Sequence, residues 1–134
     1  MELVKCSQKY WEDVRNLRNM DDVKQGFIQQ QEISFENHTK YMKKNSKFFY
    51  ICIDKGEFLG YTGVIEYDIR VATHPKHQKK GVAKFMINEI MKIHPNAFAK
   101  VKLENKASLR LFESCGFKKK FYILEKEWDI ILLK

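Results

Sequence analysis

The sequence predicts a mixed α/β fold, and three observations support this prediction. Some segments repeat apolar residues every three to four positions, as amphipathic helices do, and others alternate apolar and polar residues, as half-buried strands do. In chain order these segments run β-α-α-β-β-β-α-β-α-β-β, which is neither a regular β-α alternation nor an all-β pattern. The length of 134 residues suits one domain, so we expect residues 1–134 to fold as a single domain.

The composition is typical of a globular protein with a basic surface. Hydrophobic residues make up 44% and charged residues 31% of the chain, and 25 Lys and Arg against 17 Asp and Glu give a net charge of +8. Such a charge suits nucleic acid, a polyphosphate cofactor or solubility alone. No apolar run approaches the ~20 residues that span a bilayer, and the N-terminus lacks a secretory core. Three cysteines without close pairing are typical of a reducing compartment, so we expect a cytoplasmic protein without membrane contacts.

The N-terminal part of the chain predicts one strand and two helices. Residues Glu2–Cys6 alternate weakly, as a first strand would. The first helix is predicted where apolar residues recur at helical spacing, at Tyr10, Trp11, Val14 and Leu17. Ser34 suits the N-cap of a second helix, whose apolar face would contain Phe35, His38, Tyr41 and Met42.

Three strands are predicted next. Phe48–Ile53 and Phe58–Ile65 are rich in β-branched and aromatic residues and flank the turn Asp54–Gly56, so they predict a hairpin. The short connection Glu66–Asp68 leads into a further strand, Ile69–Thr73.

The second half predicts a long helix, a strand, a short helix and two final strands. The long helix ends at His94-Pro95, and its buried stripe would contain Ala83, Met86, Ile87, Ile90 and Met91. Residues 97–103 alternate as a strand does. The short helix would place Ala107, Leu111 and Cys115 on one face, with Gly116 at its C-cap. Residues 117–133 predict the two final strands.

The loop from Gln78 to Ala83 joins a strand to the long helix. A helix N-terminus carries unpaired N–H groups and a partial positive charge, so it attracts anions. Gly81 lets the backbone approach a phosphate closely, and three lysines add positive charge beside it, Lys79, Lys80 and Lys84. Taken alone, the pattern also fits a basic loop that merely begins a helix.

Two motifs in this sequence resemble those of the GNAT superfamily of N-acetyltransferases. Gln78–Ala83 resembles the family's acyl-CoA pyrophosphate loop, R/Q-x-x-G-x-G/A, and Asn105–Phe117 resembles N-x-x-A-x-x-L-Y-x-x-x-G-F. The order of elements is similar as well. The resemblance implies a mostly antiparallel, twisted sheet with splayed fourth and fifth strands, flanked by about four helices. It also implies an acyltransferase in which an amine attacks the thioester of acetyl-CoA directly.

The resemblance assigns residues to the cofactor. The backbone of Ala72 and Thr73 would pair with the pantetheine arm, as an added strand does. The pyrophosphate would lie on Gln78, Lys79, Lys80, Gly81, Val82 and Ala83. The far side of the cofactor would meet Asn105, Ser108 and Phe112. Asn105 suits a helix N-cap equally well, and the two roles are compatible.

The same resemblance points to Glu66 and Asp68 as candidates for the catalytic base. An amine must be neutral to attack, so a carboxylate near the start of the fourth strand would take its proton directly or through water. The sequence does not separate the two carboxylates, and both also suit turn residues of a hairpin. Phe112 stands where the family often has a tyrosine that protonates the leaving thiolate. The general acid is therefore unassigned, with water, Ser114 and Tyr122 as candidates.

Two stretches are similar to a GNAT branch that acetylates nucleotide-linked amino sugars. They are residues 15–23 and 33–38, and the similarity implies that Glu36 and His38 lie near the acceptor. His38 alone is more typical of an ordinary exposed or partly packed helix residue. The expected partner is a small-molecule amine such as a nucleotide-linked amino sugar. A polyamine is less natural, because a strongly basic surface repels a polycation. A protein or peptide amine stays open, as does a homodimer.

Other functions are less well supported by the sequence. The four histidines lack the spacing of metal ligands, so we expect no metal site. Cys52 and Cys115 lie in apolar patterns typical of core packing rather than of an acyl-cysteine. A nucleic-acid-binding protein would need stacking aromatics beside its lysines, and we expect no nucleic-acid partner. A GNAT module that binds CoA without turnover is the remaining alternative.

Overall fold

The computed structural model describes residues 1–20, 23 and 33–126, and these form a four-stranded antiparallel sheet with helices on both faces. The strands occur in the order β1-β2-β3-β4 and are β1 (Glu2–Lys5), β2 (Phe49–Asp54), β3 (Glu57–Ile65) and β4 (Asp68–Thr73). The helices in this part of the chain are α1 (Trp11–Asn19), α2 (Phe35–Asn45), α3 (Val82–Ile93) and α4 (Lys106–Ser114). The predicted mixed α/β class and the mostly antiparallel sheet are confirmed.

The sheet separates two apolar layers. On one face α1 and α2 pack against alternate residues of the central strands, including Phe49, Ile51 and Tyr61. On the other face α3 and α4 pack against the intervening residues, in one cluster with Val64 and Ile69 and in another with Cys52. Because successive strand residues point to opposite faces, each strand supplies both layers.

Both hairpins close with two-residue turns in the left-handed region. Lys55 and Gly56 have φ of 51° and 80°, and Glu66 and Tyr67 have φ of 51° and 68°. Two consecutive positive φ values are those of a type I′ turn, whose twist matches that of the flanking strands. The second turn fixes the register in which Ile65 opposes Asp68, so β4 begins directly after it.

The helix ends follow the sequence closely. Ser34 Oγ accepts a hydrogen bond of 3.2 Å from the Asn37 N–H at the start of α2, as predicted. Gly116 has φ of 93°, and the N–H of Phe117 donates to the Phe112 carbonyl over 3.1 Å, so α4 ends in a Schellman motif. The rings of Phe112 and Phe117 complete it, with centroids 5.2 Å apart.

The prediction of a strand over residues 97–103 is wrong. Phe98 alone forms a bridge, parallel to Asp68, in which its N–H donates to Tyr67 O over 2.7 Å and its carbonyl accepts from Ile69 N over 2.9 Å. A strand needs a neighbour along its length, and beyond Ile69 no described backbone continues this pairing. Although the segment forms no strand, its alternate apolar residues Ala97, Ala99 and Val101 pack against the α3–α4 layer.

The two final strands are not formed in the described part of their range. Residues 117–126 have no regular secondary structure, and Phe121 and Leu124 are exposed. Residues 127–133 lie outside the described residues. Phe35, predicted on the buried face of α2, is also exposed, because that face narrows to His38 and Met42. None of the described helices is both long and apolar enough to cross a membrane.

Candidate active site

A cavity of about 400 Å³ lies along the outer edge of β4. Alternate residues of β4 line it, with Asp68 and Arg70 on the α1–α2 face and Ile69 and Val71 on the opposite face. Its walls come from α1 and α2 at one end and from α4 at the other. The other lining residues are Arg18, Tyr41, Phe49, Tyr61, Lys100, Val101, Asn105, Ser108 and Phe112. The cavity therefore passes around the edge of the sheet from one layer to the other.

The opening exists because β4 lacks a full outer partner in the described part of the chain. There its outer edge pairs with Phe98 alone, through the N–H of Ile69 and the carbonyl of Tyr67. Strand alternation directs the backbone groups of Val71 and Thr73 to the same edge, whereas the backbone of Ala72, also predicted to pair with the pantetheine arm, faces β3. The Thr73 hydroxyl is buried and has no hydrogen-bond partner among the residues that the structure describes. The edge thus offers backbone donors and acceptors to a bound chain.

The two candidate bases occupy different environments. Asp68 lines the cavity, and its side chain is 16% exposed, with Oδ2 3.5 Å from Nε of Arg70. Glu66 lies in the left-handed turn before β4, is exposed and does not line the cavity. The structure thus brings one of the two carboxylates into the cavity and leaves the other in solvent.

The start of α3 is an uncapped helix N-terminus. Gly81 is its N-cap with φ of 79°, no side chain caps the first turn, and that turn contains no acidic residue. A Cβ built on Gly81 would meet no atom within 4 Å, so the space beside the free N–H groups is open. Lys79, with φ of 64°, turns the loop just before it. These features suit a pyrophosphate, and Gln78, Lys80, Val82 and Ala83 belong to the same loop and first turn.

The second motif contributes one wall of the cavity. Asn105 Oδ1 accepts a hydrogen bond of 3.1 Å from Ser108 N, so Asn105 caps α4 while also lining the cavity. Phe112 is buried and presents an apolar ring. The suggested proton donors Ser114 and Tyr122 lie elsewhere, since the Ser114 hydroxyl donates to Leu111 O over 2.6 Å and Tyr122 is exposed. Tyr41 and Tyr61 are the phenols that line the cavity among the described residues.

Neither residue predicted at the acceptor lines the cavity. Glu36 is exposed and pairs with Lys40 over 3.7 Å. His38 is 1% exposed, and its Nε2 hydrogen-bonds the Trp11 carbonyl over 2.8 Å, which ties α2 to α1. Its other ring nitrogen has no hydrogen-bond partner within the described chain. Part of the stretch 15–23, residues 21 and 22, lies outside the described residues.

Two of the cysteines, Cys6 and Cys52, are poorly suited to act as nucleophiles. Cys52 is fully buried, and burial raises the pKa of its thiol to about 11. Burial likewise raises the pKa of Cys6 to about 11. Neither thiol forms a thiolate readily near neutral pH. In the described ranges no three His, Cys, Asp or Glu side chains are placed to hold a metal ion.

Sequence reasoning missed several residues of the cavity. Arg70 could have been found, because it lies two positions after Asp68 on the same face of one strand. Arg18 lies within the stretch that is similar to the amino-sugar branch. Tyr41 and Tyr61 carried no such signal, since their meeting depends on the packing of α2 against β3.

Fold and cavity together define a class of α/β protein that can take an extended ligand chain beside an open strand edge. The family model for the acetyltransferase (GNAT) family matches residues 11–117. The chain therefore belongs to the GNAT family, and the predicted acyltransferase and its co-substrate acetyl-CoA are confirmed at the level of the family.

Solved structures share the fold. A spermidine N-acetyltransferase from Vibrio cholerae, in complex with CoA and spermine, superposes with a TM-score of 0.81 at 20% identity, covering 95% of this chain and 86% of that one. A ribosomal-protein-alanine N-acetyltransferase from Brucella melitensis gives 0.75 at 14% identity, with coverage of 88% and 85%. The protein yncA from Salmonella typhimurium, with its cofactor acetyl-CoA, gives 0.72 at 16%, with coverage of 87% and 79%. A comparison with curated proteins found no match.

Proposed function

We propose that this protein transfers an acetyl group from acetyl-CoA to a primary amine by direct attack of the amine on the thioester. The observation that carries the proposal is the cavity at the edge of β4, which joins the Asp68 carboxylate to the wall formed by Asn105, Ser108 and Phe112. An acceptor entering from the α1–α2 side and a cofactor on the α4 side would meet there. A small molecule such as a nucleotide-linked amino sugar is the acceptor we favour, and the cytoplasm is the expected compartment.

Three features support the proposed placement of acetyl-CoA. The open edge of β4 offers backbone groups at Val71 and Thr73 for the pantetheine arm. The uncapped start of α3 offers N–H donors for the pyrophosphate, with Lys79, Lys80 and Lys84 beside it. The buried Thr73 hydroxyl, which has no partner in the described ranges, marks where a bound chain would supply one.

The chemistry needs a neutral amine and a stabilised oxyanion. Asp68 takes the proton from the incoming ammonium, directly or through water. The N–H of Val71 at the open edge donates to the thioester oxygen as charge develops there. Collapse of the tetrahedral intermediate breaks the C–S bond and releases the CoA thiolate, and the nitrogen gives its second proton to water as the neutral amide forms. Phe112 has no proton to donate, so the thiolate takes its proton from water.

The proposed base is tested by comparing two matched variants. Asp68→Asn removes a carboxylate inside the cavity, and Glu66→Gln removes one in the solvent-exposed turn two residues earlier. We expect Asp68→Asn to lower kcat about 10²- to 10⁴-fold with little change in the KM for acetyl-CoA, and Glu66→Gln to stay near wild type. The readout is release of free CoA thiol with a panel of amines. Equal losses in the two variants, or full activity of Asp68→Asn, would contradict the assignment.

The similar structures do not indicate which class of amine this chain acetylates. Two of the similar structures are named for a polyamine and for a ribosomal protein as substrates. Both are below 25% identical to this chain and share the fold alone. The charges of the cavity itself are a better guide.

A further inference from the structure

The cavity carries an excess of positive charge. Among the described residues, three cationic side chains line it, Arg18, Arg70 and Lys100, against the carboxylate of Asp68. The cofactor loop of residues 78–83 does not line this space, so its lysines are a separate group. The positive charge of the cavity is therefore not explained by the pyrophosphate site.

Arg70 is held in place but only partly neutralised. Its Nε lies 3.5 Å from Asp68 Oδ2, yet this buried nitrogen makes no hydrogen bond to any described residue. The side chain as a whole is 42% exposed, so the outer end of the guanidinium is accessible. Guanidinium groups bind phosphate and carboxylate through paired N–H donors.

Arg18 approaches the same space from α1. Its guanidinium carbon lies 5.0 Å from the centroid of the Tyr41 ring, a cation–π contact that orients the side chain without neutralising it. Among the described residues it pairs with no carboxylate. Arg18 and Arg70 thus come from different elements, on the same face of the sheet, and converge on one cavity.

We propose that the acceptor is an anionic amine, in which Arg18 and Arg70 bind a phosphate or carboxylate group while the amine lies at Asp68. This inference rests on the proposed acetyl transfer and specifies its substrate class. A polyamine would place several positive charges against three cations and one carboxylate, which is unfavourable in a partly desolvated site. The two arginines are specificity-determining residues, since they touch the part of the acceptor that does not react.

The first test measures binding of the anion without turnover. The protein is saturated with CoA, so that its phosphate site is occupied, and titrated with a nucleoside-diphosphate sugar that lacks an amine or with an acidic dipeptide whose amine is blocked. These two probes distinguish phosphate from carboxylate as the bound group. We expect at least one probe to bind, and Arg18→Gln and Arg70→Gln each to weaken it about tenfold to a hundredfold. Lys119→Gln, on the exposed segment after α4, is the charge-matched control and should bind normally.

The second test measures turnover with matched acceptors. We expect kcat/KM to be higher for an amine that carries a phosphate or carboxylate than for a neutral amine or spermidine, and added salt to reduce that preference. The arginine variants should lose the preference while keeping the KM for acetyl-CoA. Binding of neither probe, equal binding in wild type and both arginine variants, or a preference for spermidine would overturn the anionic-acceptor proposal. Intact, arginine-dependent probe binding without acetylation of any amine would support the anion site and refute the acetyl transfer alone.

Discussion

The N-termini of α2 and α3 differ in how their free N–H groups are satisfied. At α2 the chain caps itself, because Ser34 accepts from Asn37 N and Glu36 adds negative charge to the first turn. At α3 the N-cap is Gly81, no side chain caps the turn, and the neighbouring charges are lysines. A helix start that its own residues leave uncapped is available to an external anion. The contrast separates a structural helix start from a binding one within a single chain.

Among the tests of this contrast between the two helix starts, the largest expected effect comes from replacing Gly81 by valine. Its φ of 79° is unfavourable for a β-branched residue, and the added side chain would occupy the open space beside the helix N–H groups. We expect acetyl-CoA affinity to fall at least about tenfold, the change of roughly 1.4 kcal/mol that loss of one charged hydrogen bond would cause. Titration calorimetry with acetyl-CoA measures it.

Gly56→Val is the matched control for that substitution. Gly56 has φ of 80° in the β2–β3 turn, and its Cβ would also meet no atom within 4 Å. Both variants should therefore lose similar unfolding free energy, on the order of 1–2 kcal/mol, while only Gly81→Val loses cofactor binding. Equal acetyl-CoA affinity in the two variants would remove Gly81 from the binding site.

A smaller effect is expected from the lysines near α3. Changing Lys79, Lys80 and Lys84 together to glutamine should weaken acetyl-CoA binding about tenfold at low salt, with less effect at high salt. The matched triple, Lys118, Lys119 and Lys120 to glutamine, removes the same charge from the exposed segment after α4. If both triples weaken binding equally, net charge rather than position is responsible.

The α2 cap should affect stability without affecting the cofactor. Ser34→Ala removes the acceptor for Asn37 N, and we expect a loss of about 1 kcal/mol in unfolding free energy. Ser34→Asp retains an acceptor and should restore most of it. Urea unfolding and calorimetry on the same samples provide the measurement. A change in acetyl-CoA affinity in Ser34→Ala would mean that the two helix starts are not independent.

The smallest expected effect is a pH dependence from His38. Burial, and to a lesser extent the charge of Arg18, lowers the pKa of His38 below its usual value near 6.5. The unfolded chain therefore binds a proton at His38 more readily than the folded chain does. The part of the unfolding free energy that depends on neutral His38 is fully present above about pH 6.5 and is lost as the pH falls below that value. The difference between the urea midpoints measured at pH 7.5 and at pH 5.5 should be smaller in His38→Gln than in the wild type. His74 has a lowered pKa too and is common to both proteins, so an identical pH slope in the two would exclude His38 as the source.

Local sequence patterns predicted the helices and the first four strands well. Caps such as Ser34 and Asn105, and the turns at Gly56 and Gly116, depend on a few adjacent residues, and the structure confirms them. The segment 97–103 failed because a strand also needs a neighbour. The alternation of apolar and polar residues in this segment reflects the burial of its apolar side chains against α3 and α4 rather than strand pairing.

The candidate site was predictable only where a motif marked it. The start of α3 and Asn105 were found because a turn and a cap have local sequence rules. Arg18 and Tyr61 were not, because their convergence is produced by packing across the sheet. Glu66 and Asp68 differ in placement because of the type I′ turn, whose geometry was not evident from the sequence. The turn leaves Glu66 in solvent, and Asp68, just after it, lines the cavity.

The course of the cavity around the edge of β4 has a kinetic consequence for the proposed transfer. With α1 and α2 at one end and α4 at the other, acceptor and cofactor approach from opposite sides of the sheet. Neither has to leave before the other enters, so we expect a ternary complex with no compulsory order of addition or release. Double-reciprocal plots should intersect rather than run parallel, and each product should compete only with the substrate that shares its entrance.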